Sequence, residues 1–550
     1  MSTVSLPLNY ESALTTEYLR GLAQQWNISF SSEEEEATYL LLLQSAEAVH
    51  RQIVDLPDFD HPDLLPLATA EVRQFWKPDF RDNPCNAWSH RCSFRAAHPT
   101  SSLLKGRSVA FKDNISVGGL PTTVGAFSTL VSRDARFPIS PIDATVVKRV
   151  LEAGGILKGT ATCEMYSAAP LSSTSASGPV HNPWAPGHTS GGSSSGCGCL
   201  MGMNAVDPNQ DQPNLGDRAD LAIGGDQGGS IRIPASYCGV YGLKPTHGLV
   251  PYTGAVTLTP MIDHLGSMAS TLRDIAILLQ VLAGYDGIDP RMTPESPLPT
   301  AVPDYPAILD DVRVEQGRKL RVGLLKEAFE VPGMSPQVRT GVYDAAVEFF
   351  GAVGATVVEV SVPLHAQGPI IWTAATRMTM SDWGCQSLMP GFLSYNAPHV
   401  ELRWPPDQEM HNLLTENNPS IMNLIFSAAY LKETFPSKLV AKAHRKVFEL
   451  RKAYDDVLVD FDVLITPTTP TLSSPHPESL TDRVKAAVGI VACPFNVTGH
   501  PALSVPCGFG GAEKRLPFGM QIVSKRWGEE TVLRAAALFE LGKEALRTNK

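Results

Sequence analysis

The hydrophobic pattern divides the chain into stretches of different character. Residues 10–56 carry apolar positions at helical spacing, with Tyr18, Leu19 and Leu22 near Trp26 and a run of leucines at 40–43. Ser31-Ser32 followed by glutamates at 33–36 reads as an N-cap with acidic residues in the first turn, where the helix dipole favours them. The leucine run is too apolar to face water on all sides, so this helix must pack on something. A helical layer on the main domain is the favoured reading, and a dimerisation arm is the other. Residues 55–66, rich in Pro and Asp, read as a linker.

From Leu103 strands alternate with helices. Ser108-Val109-Ala110-Phe111 predicts a short buried strand, 144–153 a helix stopped by Gly154-Gly155, and Ile156-Leu157 the start of the next strand; together they form a βαβ unit. An amphipathic helix follows at 271–282. Strands at 321–325 and 356–362 flank a helix at 338–350, and further strands fall at 463–465, 503–505 and 520–523. Residues 366–450, rich in Trp, Met, Tyr and Phe, read as a helical insertion. The expected organisation is an N-terminal helical segment, 1–65, and an α/β domain, 66–550.

Composition narrows the partners. At 43% hydrophobic and 18% charged residues the chain matches an ordinary globular protein. Its net charge of −11 includes no basic block to follow a phosphate backbone, so no nucleic-acid partner is expected. The N-terminus lacks a basic region followed by an apolar run, and no stretch approaches the roughly 18 apolar residues that span a bilayer. Nine scattered cysteines favour free thiols over a disulfide framework. A cytoplasmic protein with no membrane partner is expected. No metal is expected either: Cys197-Gly198-Cys199 has the wrong spacing for zinc. Asp207-x-Asn209-x-Asp211 begins like a calcium loop, but Gln212 and Arg218 replace its glycine and glutamate.

The chemistry concentrates between His188 and Thr246. Gly191-Gly192-Ser193-Ser194-Ser195-Gly196 and Gly224-Gly225-Asp226-Gln227-Gly228-Gly229-Ser230-Ile231-Arg232-Ile233-Pro234 flank a polar segment. Glycines let backbone N–H groups approach a ligand and form an anion-binding nest, and a serine in such a nest can attack a carbonyl whose oxyanion the same N–H groups hold. Gly192 to Gly196 also satisfies G-x-S-x-G, but that elbow needs an apolar strand immediately before it, which Gly187-His188-Thr189-Ser190 is not. Asp226 and Arg232 read as an ion pair bracing the serine turn. Cys238, within an apolar run, reads as packing, and His188 and His247 as structural or surface residues.

These clusters, with Val109-Ala110-Phe111-Lys112-Asp113-Asn114, Cys238-Gly239-Val240-Tyr241-Gly242-Leu243-Lys244-Pro245-Thr246 and Phe495-Asn496-Val497-Thr498-Gly499-His500-Pro501, resemble the amidase signature family. The likeness runs from about Leu103 to Leu541 and is weakest from about 290 to 450. It implies a large mixed, twisted β-sheet with helices on both faces. It further implies a Ser–cis-Ser–Lys triad in which Ser230 is the nucleophile, Ser193 the relay and Lys112 the base, with backbone N–H groups of Gln227, Gly228, Gly229 and Ser230 as the oxyanion hole. Lys112 serves as a base only if burial keeps it neutral.

The implied reaction is hydrolysis of small-molecule carboxylic acid amides to carboxylate and ammonia through an acyl-enzyme, with no cofactor. Met165, Tyr166, Trp372 and Trp383 are the expected walls of an apolar acyl pocket. Gln227 resembles the broad-specificity amidases of nitrile metabolism and some carbamate-cleaving relatives, where this glutamine assists at the substrate carbonyl. The N-terminal segment of that subgroup contributes to dimerisation, so a homodimer is a candidate state. Two departures stand out. Gly225 replaces a common threonine, and the Ser193–Ser230 spacing is longer than usual because of a polar segment at 207–220, expected to be a surface loop without chemistry. Alternative readings are a carbamate hydrolase, a non-catalytic relative and an amidotransferase subunit.

Overall fold

Along the central strands apolar side chains point alternately to opposite faces, as the period-two geometry of a strand requires. Val109 and Phe111 enter one core while Ala110 enters another, and Leu221 and Ile223 are set against Ala222 in the same way. Val463 and Ile465 likewise oppose Leu464. A strand buried on both faces belongs inside a sheet covered by helices on both sides. The computed structural model of the chain has that architecture. It describes every residue except 1–11, 133, 207–213, 389–394, 396–397, 480, 483, 485–491 and 549–550.

The strands are β1 (Phe75–Trp76), β2 (Trp88–Arg95), β3 (Ser108–Lys112), β4 (Ile156–Ala161), β5 (His181–Asn182), β6 (Ala185–Thr189), β7 (Leu221–Gly225), β8 (Tyr241–Lys244), β9 (Leu265–Ala269), β10 (Arg321–Leu325), β11 (Thr356–Val360), β12 (Val463–Pro467), β13 (Ala502–Gly510) and β14 (Leu516–Val523). Twelve of them form one mixed sheet in the order β1-β2-β4-β3-β7-β9-β8-β13-β14-β12-β10-β11. β3 pairs in parallel with β4 and β7, and β10 with β11 and β12; the centre is antiparallel. The expected βαβ unit is β3, the helix Thr145–Glu152 and β4.

One face is covered by the helices Thr145–Glu152, Leu272–Leu282, Pro336–Ala352 and Glu529–Thr548. The other carries the short central helices Ser195–Ala205 and Arg232–Cys238 and, beside them, the helices Gly368–Gly384, Gln408–Asn417, Pro419–Thr434 and Lys438–Val457. These last four fill the stretch read as a helical insertion. No described helix is long and apolar enough to cross a membrane.

Some expectations change in detail. The strand expected to run to 362 stops at Val360, and a 3₁₀ turn begins at Pro363. The G-x-S-x-G run is preceded by β6, which pairs with β5 in a separate two-stranded ribbon rather than in the main sheet. Of the polar segment 207–220, residues 207–213 lie outside the described part. The remainder is tied down: Asp217 pairs with Arg91, its carbonyl accepts the Trp88 indole N–H at 2.9 Å, and Asp220 accepts the Ser108 N–H at 2.7 Å.

The chain separates into two compact units, Met1–Asp63 and Leu64–Lys550. The first contains the helices Thr16–Gln24 and Glu33–Asp55. Ser32 caps the second by accepting the Glu35 N–H, with glutamates filling its first turn. Arg20 and Glu36 bridge the two helices at 2.5 Å. In the leucine run of the second helix, Leu41 is 58% and Leu42 43% exposed.

Candidate active site

The parallel strands β3 and β7 end side by side, so the sheet delivers two segments to one place. β3 ends in Lys112, and β7 ends in Gly225 and runs into the turn carrying Ser230. The third segment is the approach to the helix Ser195–Ala205. Ser194 ties it to the end of β7, since its hydroxyl donates to the Gly225 carbonyl at 3.0 Å and accepts the Gly225 N–H at 3.1 Å. The Ser194 N–H donates to the Ser230 carbonyl at 3.1 Å. The Gly192–Ser193 peptide bond is cis.

Lys112 is fully buried. Its Nζ donates to Ser193 Oγ at 2.8 Å and reaches the Gly225 carbonyl at 3.5 Å. Burial pushes its pKa below the ordinary lysine value, against the opposing pull of Cys163, Cys197, Asp226 and Glu164. Glu164 is itself disarmed: burial raises it to about 7 despite hydrogen bonds from Thr174 and Ser195. Burial thus favours the neutral amine that a base requires.

The Ser230 turn is braced from below. Asp226 accepts the N–H groups of Gly229 and Ile231 at 2.8 and 3.1 Å, and Arg232 grips the same carboxylate through Nε and Nη2, both at 3.0 Å. Arg232 also donates to the Ala492 carbonyl, Gln521 and Asn496 at 2.7–2.8 Å, and Asn496 Nδ2 returns to Asp226 at 2.8 Å. Burial works to raise the Asp226 pKa, but the charge and hydrogen bonds of Arg232 outweigh it and hold the carboxyl well below its usual range. Gly229 sits at φ +124, and a Cβ there would meet Ala492 and Ile233 at 2.7–2.8 Å; only glycine fits.

This brace corrects one assignment. The Gly229 N–H is committed to the Asp226 carboxylate three residues before it and is not free for an oxyanion. Gln227, Gly228 and Ser230 keep N–H groups with no partner among the described residues. The Gln227 side chain donates to Tyr252 OH at 3.0 Å, and its Oε1 is buried without a partner among those residues.

Ser230, Gln227 and Gly228 open onto a cavity of about 430 Å³. Its walls include residues 167–170, Leu258, Ile421 and Leu424, and one face of the helix Gly368–Gly384. Trp372 lies in that wall, as the sequence led us to expect, and its indole N–H donates to the Gln227 carbonyl at 3.1 Å. Met165, Tyr166 and Trp383 do not line it. Met165 and Tyr166 turn inward into the apolar core beneath, leaving the next residues, Ser167 to Pro170, as the wall. Trp383 is buried about three helical turns beyond Trp372, roughly 16 Å along the axis, outside the cavity.

Cys493 in the wall has its thiol pushed up to about 12 by burial, and burial likewise raises the thiol of Cys238; neither is a nucleophile near neutrality. His247 is half-buried, pushed down to about 4 by desolvation and bonded to the Pro260 carbonyl. Reading motifs alone missed Gln521, Tyr252 and Glu164, which lie outside the glycine-rich signatures and join the site only in the folded chain, Gln521 from β14 and the other two from loops.

The Amidase family model matches residues 87–533, and the chain belongs to this family, the amidase signature enzymes. It is a hydrolase of amide C–N bonds. An enantioselective amidase of Rhodococcus rhodochrous is 34% identical over 98% of this chain and 96% of that protein. A glutamyl-tRNA(Gln) amidotransferase subunit from a Synechococcus strain is 32% identical over 81% of this chain and 85% of its own. Among solved structures, a peptide amidase of Stenotrophomonas maltophilia shares the fold, with a TM-score of 0.60 at 24% identity, covering 80% of this chain and 82% of that one.

Proposed function

We propose that the chain hydrolyses small carboxylic acid amides to carboxylate and ammonia through an acyl-enzyme on Ser230. The observation that carries this reading is the buried Lys112, pushed toward its neutral form and hydrogen-bonded to Ser193 beside a cavity that Ser230 lines. In the first half-reaction Ser230 Oγ attacks the amide carbonyl and its proton passes through Ser193 to Lys112. The free N–H groups of Gln227, Gly228 and Ser230 hold the oxyanion. The proton returns to the nitrogen as ammonia departs, and water then repeats the sequence on the ester.

Two features favour an amidase over an amidotransferase component. Similarity to the Rhodococcus amidase extends over nearly the whole chain, and the acidic net charge is unsuited to holding tRNA. The decisive experiment measures ammonia release by wild-type, Lys112→Ala and Ser230→Ala proteins on aliphatic and aromatic amides and on ethyl carbamate. Turnover by wild type alone supports the assignment, turnover surviving in Ser230→Ala overturns it, and a preference for ethyl carbamate makes the enzyme a carbamate hydrolase.

The exposed leucines of the helix Glu33–Asp55 support a homodimer in which a second copy covers them. Light scattering on Leu41→Glu/Leu42→Glu protein should then report a monomer where wild type is a dimer; a wild-type monomer removes the proposal.

A further inference from the structure

The helix Gly368–Gly384 sets Pro369, Trp372, Thr373, Arg377 and Met380 along the cavity. Its position is fixed near Ser230 by the bond from Trp372 to the Gln227 carbonyl. Five residues beyond Trp372, roughly 7.5 Å along the helix axis, the same wall presents Arg377. It is the one charged side chain among the described residues of the lining, and no carboxylate faces it there. It also lines an adjoining apolar cavity of about 550 Å³, again as the one charge among the described residues.

Arginines elsewhere in the fold that are similarly withdrawn from water each meet at least one acceptor, although Nη1 of Arg291 is buried without one among the described residues. Arg73 pairs with Asp143, Arg232 with Asp226 and Arg291 with Asp289, while Arg149 donates to the carbonyls of Leu282 and Ala283. Arg377 has neither an acceptor nor an ion-pair partner among the described residues. Its pKa is lowered by burial alone, with no acid opposing. A guanidinium carries five donors in a planar fork that fits a carboxylate bidentately, and leaving it half-buried and unmatched costs free energy that a bound acceptor would recover.

We propose that Arg377 is the specificity-determining residue of this cavity and that the preferred substrates are amides whose acyl chain carries a distal carboxylate, the monoamides of dicarboxylic acids. The reacting carbonyl lies at Ser230 while the far carboxylate is gripped by Arg377; water enters, ammonia leaves, and the product is a dicarboxylate. This inference rests on the reading of the Ser230 cavity as the acyl site.

The test compares kcat/KM for succinamic, glutaramic and adipamic acids with the neutral aliphatic amides of matching length, in wild-type, Arg377→Met and Arg377→Lys proteins. Wild type should favour at least one acid over its neutral partner. Arg377→Met should lower that ratio by roughly 10- to 100-fold, the range for a hydrogen bond to a charged group, chiefly through KM, and Arg377→Lys should recover part of it. Equal or neutral-biased ratios in wild type, unchanged in Arg377→Met, overturn the inference while leaving amide hydrolysis intact.

If no amide of either kind is turned over, the proposed reaction fails instead, and direct binding decides the role of Arg377. Calorimetric titration of adipate into Ser230→Ala protein and into the Ser230→Ala/Arg377→Met double variant should show affinity lost only in the latter; equal affinity, or binding by neither, overturns it. Unchanged circular dichroism and melting of Arg377→Met separate these outcomes from misfolding.

Discussion

Beneath the Ser230 turn all five N–H donors of Arg232 meet an acceptor, and both oxygens of Asp226 are used more than once. Across the cavity the Arg377 guanidinium meets none among the described residues. Both are arginines removed from bulk water, yet one is satisfied by its own chain and the other is left open. The difference separates two tasks. A group that positions the nucleophile must be over-determined, because an atom displaced by a fraction of an ångström spoils the reaction geometry. A group that recognises a ligand has to reserve its donors for it.

The sharpest way to break this comparison is to remove the chemistry and leave both arginines in place. Ser230→Ala and Lys112→Ala should each lower amide turnover by about 10⁴-fold or more in an ammonia-release assay while melting near wild type. Next in size is the brace itself. Arg232→Met leaves Asp226 buried with its main counter-charge gone, which should cost about 3–5 kcal/mol of stability in denaturant titrations; a loss below ~1 kcal/mol would mean that the brace is not what holds the turn.

The smallest effect concerns pH. Lys112 must be neutral to accept a proton, so kcat/KM should fall as pH drops through its depressed pKa and level off above it. Glu164 opposes that depression, so Glu164→Gln should move the limb to lower pH. A limb that stays put would place the controlling ionisation elsewhere.

Much of the sheet could be read from the chain because its elements are locally patterned. Val109-Ala110-Phe111 and Val463-Leu464-Ile465 are short apolar runs, and Thr271 announces the helix Leu272–Leu282 by capping it through the Asp274 N–H. Strand order could not be read, since β12 pairs with β14 across an intervening β13, and such pairings leave no local mark. The helix Ser195–Ala205 was equally hidden. Its glycines argue against a helix on propensity, but a Cβ at Gly196 would lie 2.2 Å from the Ala87 carbonyl oxygen, so packing demands what propensity disfavours.

At the site, Ser193 and Ser230 stood out through the glycine-rich motifs around them, and Lys112 through the family resemblance of its segment Val109-Ala110-Phe111-Lys112-Asp113-Asn114. Arg377 did not, because an isolated arginine in a helix reads as solvated until the opposite wall is known. Met165 and Tyr166 show the converse limit: their apolar character was plain, but not that the chain would turn them into the core just short of the cavity.

The Arg232 network has a consequence for how the enzyme comes into being. Its partners Asn496 and Gln521 lie 264 and 289 residues further along the chain, and Gln521 belongs to β14, a strand near the C-terminal end. During synthesis the serine turn is therefore made long before the groups that lock it, and contacts so distant in sequence form late. A nascent chain or a C-terminal truncation holds Lys112, Ser193 and Ser230 without a complete brace. Activity should thus be withheld until β14 has docked, which makes turnover a sensitive report on that step.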